Sequence, residues 1–147
     1  MLKNNMGMLV PKKVKYRKWH TMRRNPKRVG IETRGTSIAF GAFGLQATTA
    51  GRIRSQQLEA ARKTMSRSIK KTGKIWIRVF PDMPYTQKPA EVKLGKGKGD
   101  VAGYVAPVRP GRVLFEVDGL PKEESYELLR KAGSKLPIKT KIVTRHG

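Results

Sequence analysis

Hydrophobic and polar positions change rhythm near residue 35. Before it, apolar residues follow no period and are separated by Pro11, Lys12, Lys13, Lys15, Arg17, Lys18, Arg23, Arg24, Pro26, Lys27 and Arg28. Such a stretch has little to bury and reads as an extended basic arm, residues 1–35, that orders only on its partner. From Gly35 onward, short alternating apolar segments are punctuated by Gly and Pro. Thr36–Phe40 and Leu45–Ala47 read as strands, with a turn or bulge over Phe40–Gly44. Leu58, Ala61, Met65 and Ile69 then recur at helical spacing, with Ser55 as the N-cap and Gly73 as the stop. Lys63, Arg67, Lys70 and Lys71 fall on the opposite side of that helix.

Lys74–Pro81 alternates Ile75, Ile77 and Val79 against Trp76, Arg78 and Phe80. Large apolar groups on both faces predict a central strand. Asp82–Pro89 contains Pro84 and Pro89 and reads as an irregular connection. Val101–Val108 and Arg112–Val117 read as an antiparallel pair about Pro110–Gly111. A second helix follows Pro121, with Glu123 and Glu124 in its first turn and Arg130 and Lys131 near its end, matching the helix dipole. Gly133 either ends that helix or sits inside it, and Ile138–Thr144 closes the chain as a strand. This order predicts an α+β fold: a single compact domain, residues 36–147, with two helices packed on an antiparallel or mixed sheet and an extended basic N-terminal arm.

Charge changes the picture. The 147 residues carry 33 Lys and Arg against 10 Asp and Glu, a net +23. Residues 1–36 and 37–99 each hold +10, and residues 100–147 only +3. A body so charged repels itself until a polyanion neutralises it, which makes nucleic acid the expected partner. The arm interleaves Tyr16, Trp19 and His20 with its cations. Those rings either stack on unpaired RNA bases or anchor the arm on the body. The cationic helix face is either solvated or set against phosphate.

Catalytic chemistry has few candidates. Cysteine is absent and the two histidines, His20 and His146, lie near the chain ends. No paired carboxylates stand apart from helix capping, so no catalytic residue, metal ligand or cofactor is expected, and no small-molecule substrate. An RNA-processing enzyme would need such a cluster. A membrane-active protein would need a more strongly amphipathic exposed helix than Leu58–Ile69, and no membrane partner is expected. Gly95-Lys96-Gly97-Lys98-Gly99-Asp100, within a loop at 93–100, lacks the GK[ST] ending of a nucleotide-binding loop and no helix follows it. Its glycines let backbone approach phosphate while Lys96 and Lys98 supply charge; the alternative is an exposed hairpin tip.

GKIWIRVFPD (Gly73–Asp82), KPAEVKLGKGKG (Lys88–Gly99), MLVPKKVKYRK (Met8–Lys18), FGAFGLQA (Phe40–Ala47), QLEAARKTMSR (Gln57–Arg67) and KLPIKTKIV (Lys135–Val143) together resemble bacterial-type large-subunit ribosomal protein sixteen, in the family's order. The resemblance implies a structural constituent of the large ribosomal subunit, in a cytoplasmic bacterial or an organellar ribosome. It would bind large-subunit ribosomal RNA, help organise the aminoacyl-tRNA site and touch neighbouring large-subunit proteins. By the same match Lys93, Lys96, Gly97 and Lys98 face RNA or tRNA. Lys12, Lys13, Lys15, Arg17 and Lys18 face ribosomal RNA, with Arg23 and Arg24 continuing the arm and Lys63, Arg67, Lys70 and Lys71 adding the helix face. Lys93 stands where the family often has Arg, and Ala102-Gly103-Tyr104 replaces a more aromatic stretch.

Overall fold

The computed structural model describes residues 9–20, 30–69, 71–91, 95 and 97–145. Residues 9–20 and 30–42 carry no helix or strand. Seven strands and two helices follow: β1 (Phe43–Ala47), β2 (Gly51–Arg54), α1 (Ser55–Ser68), β3 (Lys74–Ile77), β4 (Met83–Gln87), β5 (Asp100–Val108), β6 (Val113–Asp118), α2 (Lys122–Gly133) and β7 (Thr140–Thr144). They form two antiparallel sheets, of order β3-β6-β1-β7 and β2-β5-β4. The α+β class with two helices on antiparallel sheet is therefore found, with the strands divided between two sheets.

The division corrects one expectation: β5 and β6 do not pair with each other. At Arg109–Arg112 the chain leaves one sheet for the other, and at residues 48–50 the β1–β2 connection does the same alongside it. Gln46 lies opposite Val113 and Gly51 opposite Val108. Between them Ala47 N–H donates to the Arg112 carbonyl and Gly111 N–H to that of Ala47, both at 2.8 Å. Gly111, at φ 102°, makes the turn that an L side chain would strain. A bulge at Leu45/Gln46 sharpens the bend, as at other corners where strands change sheets.

Both helices pack on each other and on the sheets, α1 toward β2 and β5 and α2 toward β1, β6 and β7. Phe43 meets Tyr126 edge to face at 5.6 Å, fixing α2 on β1. Leu45, Ile53, Leu58, Met65, Phe115, Val117 and Leu129 form the centre of the core, each almost wholly excluded from solvent. Burial of each large side chain stabilises the fold by about 1.5–3 kcal/mol.

Four boundaries differ from the sequence reading. Arg54, not Ser55, caps α1, its N–H donating to the Gln57 side chain at 2.9 Å. The helix ends at Ser68, where Ile69 turns extended, and Gly73 lies beyond it. Residues 82–89 are not irregular: β4 runs through Pro84, which is tolerated because β4 is an edge strand. The 74–81 strand stops at Ile77 and is itself an edge, not central.

Its second apolar face has another cause. Thr36–Phe40 is no strand but a strap across the outside of β3, β6 and β1. Phe40 stacks on Trp76 at 6.0 Å between centroids, and the Arg78 guanidinium lies 5.2 Å from the Phe40 ring. Beneath them the fully buried Glu116 carboxylate accepts the N–H groups of Ala39 (2.6 Å) and Phe40 (3.3 Å) and pairs with Arg78 at 3.1 Å. Two of the strap's N–H groups are thus satisfied by a side chain rather than by a ladder.

Candidate nucleic-acid interface

Lys12, Lys13, Lys15 and Arg17 are exposed and Lys18 is half-buried. Pro11, Val14 and Tyr16 share a hollow with Asp82, which brings this part of the chain beside the start of β4. The second fixing point is Lys98, whose ammonium donates to the Trp19 carbonyl across 79 positions of sequence. The far end of the Gly/Lys loop and the basic segment thus meet in one surface, with Lys98 itself exposed. Lys63 and Arg67 are exposed on the outer side of α1, as the helical period requires, whereas Lys71 does not continue that face because it lies in the turn beyond the helix end; no hydrogen bond or ion pair among the described residues joins them to the first group. Arg23, Arg24, Lys70, Lys93 and Lys96 lie outside the described residues. Gly97 is exposed at φ 95°.

Among the described residues Asp82 is the acid that lines this surface, and no ion pair neutralises its lysines. Among the described residues the ion pairs neutralise Arg62 through Glu59, Arg78 through Glu116, and Arg130 and Lys131 through Glu127. None of those cations belongs to the arm or the loop. Glu32 is turned onto its own backbone: the Arg34 N–H, opposed by partial desolvation, and then the Thr33 N–H hold its carboxyl below the usual range, with Arg112 and Arg109 adding to the effect. Lysines without protein counterions can release condensed ions when they meet phosphate, and that supplies affinity without sequence selectivity.

Aromatic groups complete the surface. Tyr16 is 63% and Trp19 37% exposed, and the Lys15 ammonium sits 5.5 Å from the Tyr16 ring centre. The sequence reading paired these rings with the arm's cations but missed Asp82 and the Lys98–Trp19 contact. No local pattern signals either, because each joins segments more than sixty positions apart. No group of three or more His, Cys, Asp or Glu side chains among the described residues could hold a metal ion, and no helix among them is long and apolar enough to cross a membrane.

The comparisons with known proteins agree along nearly the whole chain. The family model for ribosomal protein L16p/L10e matches residues 11–143. Proteins described as large ribosomal subunit protein uL16 are similar at 53% identity in Macrococcus caseolyticus, 55% in Thermosipho melanesiensis and 53% in Staphylococcus aureus. These matches cover 94%, 95% and 94% of this chain and 93%, 95% and 93% of the relatives.

Proposed function

Because the chain belongs to the ribosomal protein L16p/L10e family, we propose that it is a structural, non-catalytic constituent of the large ribosomal subunit, seated on large-subunit ribosomal RNA and neighbouring proteins. The arm, residues 1–35, grips RNA phosphate. The body, residues 36–147, carries the Gly/Lys loop at 93–100 toward aminoacyl-tRNA and supports its placement. Beyond membership of the family, one observation carries this reading: Lys98 grasps the Trp19 carbonyl, so the two cation-bearing segments meet in one surface that no ion pair among the described residues neutralises.

Two measurements test it. At low salt the protein should sediment with large subunits and dissociate steeply as salt rises, since each neutralised phosphate releases counterions; absence from the low-salt particle refutes the assignment. Lys96→Ala, in the same loop but not the residue that holds Trp19, should leave ribosomal RNA association and the melting temperature of reconstituted subunits intact while weakening aminoacyl-tRNA retention. Unchanged retention removes the loop from the tRNA reading.

A further inference from the structure

We propose that Tyr16, Lys18, Trp19 and His20 form a clamp for one unstacked base of the large-subunit RNA, an inference that rests on the RNA-binding reading above and names what one part of that surface receives. These four residues line an open cleft of about 480 Å³, within the roughly 300–1,000 Å³ common to small-molecule sites. A second hollow of about 180 Å³, bounded by Pro11, Val14, Lys15 and Asp82, shares Tyr16 and Trp19 as its walls. Tyr16, 63% exposed, and Trp19, 37% exposed, thus each border two open hollows. A ring that served only to anchor its segment would have its faces buried against the body.

The backbone under the rings is held. Lys98 fixes the Trp19 carbonyl, so the ring is presented from a braced main chain, at less entropic cost on binding than from a free one. The rim selects the partner. Lys13, Lys15 and Lys18 surround the rings against a single acid, Asp82. A flat, neutral base joined to a phosphate chain matches both features, because the base face stacks on the rings while its phosphates meet the ammonium groups. In a duplex both faces of a base are already stacked. The target is therefore a looped-out or unpaired nucleotide.

The chain has two tryptophans, Trp19 and Trp76, so Trp76→Phe leaves Trp19 as the sole indole reporter. Deproteinised large-subunit RNA should quench its emission, whereas an RNA duplex of equal length should bind at low salt without quenching it. The difference between wild type and Trp19→Ala reads the same signal should Trp76→Phe disturb the fold. In filter binding, Trp19→Ala should weaken the ribosomal RNA complex about tenfold, and Trp19→Phe should restore most of the loss. Binding by Trp19→Ala at wild-type strength, or bound RNA that leaves Trp19 emission unchanged, overturns the clamp. So does an emission change brought about by large-subunit proteins without RNA, which would make the cleft a protein contact. If the wild-type chain fails to bind ribosomal RNA even in dilute salt, the function proposed above falls and takes the clamp with it.

Discussion

Replacing Glu116 by Ala isolates the force that holds the Thr36–Phe40 strap on the sheet. The carboxylate is wholly buried and serves three donors: Ala39 N–H at 2.6 Å, Phe40 N–H at 3.3 Å and the Arg78 guanidinium at 3.1 Å. A hydrogen bond to a charged group contributes about 1.5–3 kcal/mol, and removing one member of a buried ion pair costs about 3–5 kcal/mol. These contributions share one carboxylate and do not add. Arg78 keeps 20% of its side chain in solvent and can turn outward, which places the pair at the low end of its range. The expected loss is about 3 kcal/mol, or about 9 °C in melting temperature at about 3 °C per kcal/mol for a domain of this size. Glu116→Gln keeps an acceptor for the two N–H groups and should lose about half as much. Thermal unfolding followed by circular dichroism gives the shift, and near-ultraviolet bands report the Phe40–Trp76 stack. If Glu116→Ala melts within about 3 °C of wild type, the strap is held by something else and the account of β3's second apolar face is wrong.

Further outcomes follow from the same structure. Gly119→Ala should destabilise by at least about 2 kcal/mol in urea titration, since residue 119 sits at φ 80° and a Cβ there would overlap the Thr72 carbonyl oxygen; a neutral variant would show that this turn relaxes freely. Lys12→Ala with Lys13→Ala should lower the slope of log affinity against log salt for ribosomal RNA by about 1.5, and an unchanged slope would mean these side chains touch no phosphate. Glu127 is held below the usual carboxylate range by its hydrogen bond from Arg130 and by the charges of Arg130 and Lys131. Its folded value therefore lies below its unfolded one, so the stabilisation is complete above the unfolded value and is lost as pH falls through the folded one. The melting gap between wild type and Glu127→Gln, small because the pair is exposed, should close on acidification through that window; a gap independent of pH contradicts the pairing.

Helices were the legible part of this fold. Their signals are local: the Leu58–Ala61–Met65 stripe, Pro121 before α2, and charges placed to suit its dipole all act within a few residues. Strand pairing was not legible in the same way. Val101–Val108 and Arg112–Val117 are adjacent strands with a turn between them, which locally describes a hairpin; their true partners are earlier strands, β2 and β4 for the first and β1 and β3 for the second. Trp76, Arg78 and Phe80 suggested a central strand because a strap that covers an edge strand leaves the same alternation as a neighbouring layer. Pro84 hid an edge strand by breaking a rule that applies only where both sides of the ladder are paired. For the candidate site, charge composition picked out the cationic segments, but their union at Trp19 and Lys98 depends on tertiary placement that no residue spacing encodes.

The corner where β1–β2 and β5–β6 pass together between sheets has a consequence for how the protein comes apart. Each of the two ribbons belongs to both layers, so neither layer can peel away without tearing rungs from the other. Proteolytic nicking at residues 48–50 would not release two self-sufficient halves, because each fragment would keep strands whose mates went with its counterpart. Unfolding of the body should accordingly be a single event, and a stable form that keeps one sheet in urea titration would contradict this.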